Sequence, residues 1–216
     1  MQIKILFFNF ICEEFIKGMG DKLRGYFANK FGEYVLIHHH LNNKLLYKSP
    51  LIQYKILNGK PFVLGVNEGA DILQRIHADI DYLKIGYKEY QIKEKKIVFK
   101  TDDFGSINNS NNYFFITPWL ALNEENYRRY VAIDPRKKKQ LLSKILIGNI
   151  LSMSKGLGYT VTDELKADVN VREVTTRLKG VPMIGFMGKF SVNFEIPDYL
   201  GIGKSVSRGF GTVKKI

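Results

Sequence analysis

Two short apolar segments joined by Asn58-Gly59 constrain the fold of this chain more than any other local feature. Residues 51–57 and 61–66 are rich in isoleucine, leucine, valine and aromatic residues, a composition typical of strands. Asn-Gly favours a two-residue turn with positive φ at both positions, and that turn matches the twist of antiparallel strands. The sequence therefore predicts a β-hairpin, and with it an antiparallel sheet.

A helix and a strand are predicted on each side of this hairpin. Residues 1–11 are β-rich, and residues 21–31 carry apolar side chains at helical spacing. Beyond the hairpin, residues 68–78 fit a helix and residues 82–99 fit one or two strands. The resulting order of strand, helix, hairpin, helix and strand is that of the ferredoxin-like fold.

A polar segment, residues 102–112, separates these elements from the rest of the chain, and its content of Asp, Gly, Ser and Asn predicts a linker. The strongest helical pattern follows at residues 138–153. Residues 124–131 fit a short helix, and the strand-like stretches are 113–122, 167–178, 183–196 and 211–216. We therefore predict an α+β fold of two tandem ferredoxin-like (RRM-like) units with antiparallel sheets, residues 1–101 and 112–216.

The charge of the chain favours a polyanionic partner. The formal net charge is +12, with 16 Lys and Arg against 12 Asp and Glu in residues 1–108, and 17 against 9 in residues 109–216. A localised excess of positive charge is the footprint of nucleic-acid binding. A generally lysine-rich composition is the alternative explanation.

Cysteine content and the N-terminal residues indicate the cellular compartment of the protein. The single Cys12 excludes an internal disulfide and a cysteine-cluster metal site. The apolar run 5–12 is too short to span a membrane, and Glu13-Glu14 follow where a signal peptide needs small residues. The sequence predicts a soluble, cytoplasmic protein without a membrane partner.

A glycine-rich stretch near the C-terminus has the composition of a phosphate-binding loop; its members are Gly201, Gly203, Lys204, Ser205, Ser207, Arg208, Gly209 and Gly211. Glycine lets backbone N–H groups approach a phosphate closely, while the other side chains add donors and charge. Two nucleotide-binding motifs do not fit. Asp198 stands where a Walker A loop requires glycine, and Val206 stands where the dinucleotide fingerprint requires its third glycine. A flexible tail is the alternative.

Three of the four histidines are consecutive, at positions 38–40. If residues 34–41 are extended, His38 and His40 project from one face and His39 from the other. Two imidazoles on one face suit acid–base chemistry, because the pKa of histidine lies near neutral pH. The alternatives are a polar strand edge and a metal site, although the nearest carboxylate in sequence is Glu33. His77 falls in a predicted helix and is expected to be structural.

The glycine-rich stretch resembles the C-terminal loop of a known family, the CRISPR-associated endoribonucleases of the RAMP superfamily that cut precursor CRISPR RNA within its repeats. The matching residues are Gly201-Ile202-Gly203-Lys204-Ser205 and Arg208-Gly209-Phe210-Gly211. The resemblance extends to Ile37-His38-His39-His40, to residues 47–55, to Asn58-Gly59-Lys60-Pro61 and to residues 65–70. Together with the two-unit layout, it covers most of the chain.

The resemblance implies a reaction without cofactor or metal, in which a ribose 2′-OH attacks the adjacent phosphodiester and leaves a cyclic phosphate and a 5′-OH. His40 is the first choice for general base or acid, and His38 for its partner. Tyr47 is expected to orient the ribose or phosphate. Lys30, or Lys44 and Lys48, are expected to stabilise charge on the phosphorane.

Contacts with the RNA phosphates are expected from two groups of residues. One is the glycine-rich stretch with Lys214 and Lys215 after it, and the other is the basic run Arg136, Lys137, Lys138 and Lys139 with Lys144. Lys44 and Lys48 are further candidates for RNA contacts. The expected partner is CRISPR repeat RNA, as precursor and as mature product, while a homodimer and other effector subunits stay open. The rival functions are a non-catalytic RAMP-type subunit that holds guide RNA, and a general RNA-binding protein of the same fold.

Overall fold

The computed structural model describes residues 1–38, 40–41, 44–45 and 49–216, with the side chains of residues 1–37 and 49–216. The chain divides into two units. We call Gln2–Asp102 with Ser207–Gly209 the N-terminal unit, and Met1, Asp103–Val206 and Phe210–Ile216 the C-terminal unit. No helix among the described residues is long and apolar enough to cross a membrane.

The N-terminal unit is built on a five-stranded sheet with the order β4-β5-β1-β7-β6, in which β1 is central. Its strands are β1 (Gln2–Cys12), β4 (Ile52–Leu57), β5 (Lys60–Val66), β6 (Tyr82–Ile85) and β7 (Lys88–Asp103), and its helices are α1 (Gly20–Lys30), α2 (Val35–His38) and α3 (Glu68–Ile76). A small pair, β2 (His40–Leu41) and β3 (Lys44–Leu45), lies between α2 and β4. Strand, helix, hairpin, helix and strand follow in the predicted order, and the ferredoxin-like prediction is confirmed.

The predicted hairpin forms between β4 and β5. Leu57 pairs with Lys60, and the two turn residues Asn58 and Gly59 both have positive φ, 49° and 73°. This is the turn that Asn-Gly favours. The hairpin places β4 at the edge of the sheet.

One face of this sheet carries the hydrophobic core. Because side chains alternate along a strand, Leu6, Phe8 and Phe10 of β1 share a face, and they pack in one cluster with Leu23 and Phe27 of α1. Tyr54 of β4 belongs to the same cluster. Helix α1 is therefore held against the sheet next to β4.

The C-terminal unit has a four-stranded sheet with the order β11-β8-β10-β9. Its elements are β8 (Gly105–Phe115), α4 (Glu124–Ala132), α5 (Pro135–Gly156), β9 (Ala167–Leu178), β10 (Val181–Glu195) and β11 (Val213–Lys215). The strand order matches a second ferredoxin-like unit, as predicted. Between β10 and β11, where that fold has its second helix, the chain forms a loop with one 3₁₀ turn, Val206–Arg208.

Two local predictions are wrong. Residues 34–41 are not one strand, because α2 ends at His38 and β2 begins at His40. Residues 102–112 are not an irregular linker, because β8 runs through them and pairs with β10, with Asn111 opposite Val192. A polar segment forms a strand here because the ladder uses backbone groups and leaves most of the polar side chains exposed. The domain bounds 1–101 and 112–216 stay a prediction.

Candidate functional site

The backbone leading to the histidines is fixed by the core of the N-terminal unit. Helix α1 is followed by tight turns, in which Tyr34 N–H donates to Phe31 O at 3.2 Å and Ile37 N–H donates to Tyr34 O at 3.0 Å. Ile37 is buried in the core cluster. The buried hydroxyl of Tyr54 donates to Ile37 O at 3.2 Å, one residue before His38. The sheet therefore holds this backbone directly.

His38 and His40 do not lie on one strand, so the alternation of side chains along a strand does not place them on one face. His38 is the last residue of a helical turn, and His40 opens β2 opposite Leu45. The side chains of His38, His40 and Lys44 lie outside the described part of the chain, as do Tyr47 and Lys48 entirely. Their assigned roles stay predictions.

Lys30 ends α1 on the surface of the same unit. Its Nζ lies 5.9 Å from the ring centroid of Phe31 and 5.5 Å from that of Tyr82. A cation at this position is favoured by the helix dipole and by the faces of both rings. Lys30 is therefore an exposed cation held near the segment that precedes the histidines.

The loop residues Ser207–Gly209 pack in the N-terminal unit against the start of α1 and against β4. A Cβ added to Gly20 would lie 2.0 Å from Tyr54 O and 2.8 Å from Arg208 O, and one added to Gly209 would lie 2.9 Å from Tyr54 O. Backbones meet too closely here for any side chain. Glycine at both positions thus brings Arg208 to the N-terminal end of α1.

Arg208 lies near a second arginine, Arg24, one helical turn after Gly20. Burial lowers the pKa of the Arg24 guanidinium, and the positive charge of Arg208 lowers it further, while the phenol of Tyr54 raises it. Two guanidinium groups that repel each other beside a helix N-terminus form a favourable place for an anion. Sequence reasoning missed Arg24, although it is the only arginine before Arg75.

Lys55 follows Tyr54 on β4 and is fully buried, as is Gln53. The Nζ of Lys55 donates to Gln53 Oε1 at 3.1 Å. Burial lowers the pKa of Lys55 to about 7. An amine with this pKa changes its charge near neutral pH, and nothing in the sequence pattern of the hairpin indicated it.

The glycine-rich stretch up to Val206, and Gly211 at its end, pack in the C-terminal unit. A Cβ on Gly203 would lie 2.6 Å from the indole Nε1 of Trp119, and one on Gly211 would lie 1.9 Å from Ile202 O. Gly201 and Gly211 are buried, whereas Lys204 is exposed at the rim of a pocket of about 460 Å³. Gly203 and Gly211 are therefore required for packing, and Lys204 is the exposed side chain of this part of the loop.

The basic run at the start of α5 is largely engaged with acids. Arg136 Nε lies 3.6 Å from Asp134, Lys138 Nζ 3.6 Å from Glu173, and Lys139 Nζ 2.8 Å from Asp168. These pairs reduce the positive charge that the run offers to a phosphate. The expected RNA contacts of Arg136, Lys137, Lys138 and Lys139 stay predictions.

The remaining histidine, His77, makes local contacts within the N-terminal unit. His77 lies in a 3₁₀ turn after α3, where its Nδ1 is 2.6 Å from Gln74 O and its ring contacts Phe8 edge-on. Over the part of the chain whose side chains are described, no three His, Cys, Asp or Glu residues cluster as a metal site would need.

Two tandem ferredoxin-like units with a C-terminal glycine-rich loop define a protein of the RAMP superfamily. The N-terminal domain of Cas6b matches residues 1–103, and the C-terminal domain of Cas6b matches residues 105–216. The chain belongs to the Cas6b family.

Individual relatives agree with this assignment. A crystal structure of Cas6b is 40% identical with a TM-score of 0.94, and that of the CRISPR RNA processing endoribonuclease Cas6b is 37% identical with a TM-score of 0.80. Each similarity covers 100% of both chains. An uncharacterized protein of Methanocaldococcus jannaschii is 47% identical over 139 residues, which are 64% of this chain and 95% of that protein.

Proposed function

We propose that this protein is an endoribonuclease that cleaves precursor CRISPR RNA within its repeats and binds the RNA product. The similarity to the CRISPR RNA processing endoribonuclease Cas6b supports this substrate. One observation within the chain carries the proposal. Tyr54 holds the backbone before His38 through its hydroxyl, and its carbonyl packs against Gly20 and Gly209.

Tyr54 therefore contacts both the segment that leads to the histidines and the loop that carries Arg208. Arg24 and Arg208 provide charge for the phosphate: the positive charge of Arg208 lowers the pKa of Arg24, and an anion beside both would offset that repulsion. The histidine segment begins where Tyr54 contacts Ile37. Phosphate binding and proton transfer are thus supported by the same strand.

The reaction we propose needs no species other than the RNA and side chains. A base, His40 or His38, removes the proton of a ribose 2′-OH, and the oxygen attacks the adjacent phosphorus. The bond from phosphorus to the 5′-oxygen breaks, and the other imidazole protonates that oxygen. A 2′,3′-cyclic phosphate and a 5′-OH result. Lys30, Lys44 or Lys48 stabilises the phosphorane, and Tyr47 orients the ribose or phosphate.

The test is cleavage of repeat RNA in excess EDTA by wild type, His40→Ala and His38→Ala, with His77→Ala as a matched control. We expect wild type to cut at one site and to leave a cyclic phosphate on the 5′ fragment. The cleavage rate should fall strongly in His40→Ala and His38→Ala and should be unchanged in His77→Ala. A repeat with 2′-deoxyribose at the cut site should stay intact. Tight binding without cutting by wild type would instead assign the protein to the guide-holding RAMP class.

A further inference from the structure

One face of the four-stranded sheet in the C-terminal unit carries its own chemical pattern. The core face is defined by Tyr113, Phe190 and Val169, which pair across β8, β10 and β9 and are all buried. Side chains alternate along each strand, so the neighbouring residues project from the opposite side. We call that side the open face.

A single row of paired residues crosses all four strands of the open face. Lys214 pairs with Phe114, Phe114 with Lys189, and Lys189 with Asn170. The two lysines and the asparagine are exposed, and Phe114 is half-buried. Phe114 is thus flanked across the sheet by two lysines, with an asparagine at the end of the row.

The next residues on this face extend the pattern. Arg172 pairs with Met187, and both line a depression of about 370 Å³ together with Phe114 and Asn170. The depression lies at Gly188, where an added Cβ would be 2.4 Å from Asn170 O. The sheet therefore has a hollow beside the aromatic ring.

The charge of the open face is positive. Lys189, Lys214 and Arg172 are exposed cations. The acids at register-paired positions of β9 and β10, all within the described residues, are Asp168, Glu173 and Glu195. Each is engaged by another side chain of the protein: Asp168 with Lys139 at 2.8 Å, Glu173 with the hydroxyl of Tyr130 at 2.6 Å, and Glu195 with Lys215 at 2.9 Å. Such a surface complements a polyanion that carries planar groups.

We propose that the open face is a binding site for single-stranded RNA, in which a base stacks on Phe114 while Lys189, Lys214 and Arg172 contact phosphates. The site rests on the proposed function and adds a second stretch of contact to the same RNA. Four-stranded sheets that bind RNA place stacking aromatics on their two central strands. Here β8 and β10 are central, and they supply Phe114 and Lys189.

The test measures binding of the full-length protein to repeat RNA by fluorescence anisotropy over a range of salt concentrations. Phe114→Leu should weaken binding about 5- to 150-fold, the range for loss of one base–aromatic stack. Lys189→Gln with Lys214→Gln should lower the salt slope by about 1.4, since each phosphate contact on a single strand contributes about 0.7. Phe99→Leu, and Lys93→Gln with Lys155→Gln, are matched controls at exposed positions.

Photo-crosslinking locates the contact independently. RNA substituted with 5-iodouridine should crosslink to the peptide that contains Phe114, and Phe114→Leu should remove that crosslink. The proposed site would be overturned if both open-face variants bound RNA with the affinity and salt slope of wild type and if the RNA crosslinked only to peptides without Phe114. If wild type cuts the repeat normally in that case, the proposed function stands and this inference alone fails.

Discussion

The hydroxyl of Tyr54 donates a hydrogen bond to the carbonyl oxygen of Ile37 at 3.2 Å, and Ile37 immediately precedes His38. Both residues are buried. Burial raises the pKa of the Tyr54 phenol, so the hydroxyl keeps its proton at physiological pH. We infer that Tyr54 is a positioning residue for the histidine segment.

Tyr54→Phe is expected to slow cleavage by at least about tenfold, because displacement of reacting groups by a fraction of an ångström is costly. RNA affinity should stay within about twofold, since no phosphate contact is lost. Tyr26→Phe is the matched control, because Tyr26 also donates from a buried position, to Tyr82 O at 2.6 Å, away from Ile37. Single-turnover kinetics and anisotropy separate the two effects, and equal rates in both variants would contradict the positioning role.

Arg24→Gln and Arg208→Gln are each expected to weaken RNA binding and to lower the salt slope by about 0.7, the contribution of one phosphate contact. The positive charge of Arg208 lowers the pKa of Arg24, and we expect a bound phosphate to offset this repulsion. Arg75→Gln, at an exposed position on α3, serves as control. Unchanged slopes in the first two variants would remove both arginines from the phosphate site.

Lys55 should make stability depend on pH in the alkaline range. Its pKa is about 7 when folded and 10.5 when unfolded, so between these values the unfolded chain binds more protons. The free energy of unfolding of wild type should therefore rise relative to Lys55→Met, by up to about 1.4 kcal/mol per pH unit. Below pH 7 the difference should be constant.

Urea denaturation from pH 6 to 10 measures this dependence. Lys60→Met on the same hairpin removes an exposed lysine and should run parallel to wild type. A Lys55→Met curve that is also parallel to wild type would show that Lys55 keeps its charge in the folded protein.

Gly211→Ala is expected to destabilise the C-terminal unit by more than about 3 kcal/mol, because φ is +61° and the new Cβ would lie 1.9 Å from Ile202 O. Gly148→Ala, in α5 with open space around the position, should instead stabilise by about 0.5 to 1 kcal/mol. Thermal unfolding of the two variants compares these effects, and similar midpoints would contradict the packing described for the loop.

Local signals were sufficient for most of the fold. Asn58-Gly59 determines the hairpin because positive φ at two adjacent positions suits few other dipeptides. The long helix α5 follows from its apolar spacing. Strand β8 was missed because its polar side chains lie mostly on an exposed surface and its pairing depends on distant β10.

The candidate site depended on contacts that no local pattern reveals. Arg24 and Arg208 are brought together only by the packing of Gly20 and Gly209 on Tyr54. The glycines of the loop were expected to approach phosphate, yet their close neighbours are backbone and indole atoms of the protein. The short helix α2 was missed because four residues are too few for a periodic pattern.

The missing second helix of the C-terminal unit has a consequence for synthesis on the ribosome. The loop in its place returns Ser207–Gly209 to the N-terminal unit, and β11 then completes the sheet beside β8. Both units therefore lack a native piece until residues 207–215 have been translated. A nascent chain halted earlier would carry the histidines but neither Arg208 nor strand β11, so we expect the second sheet to be completed only once residues 213–215 have left the exit tunnel.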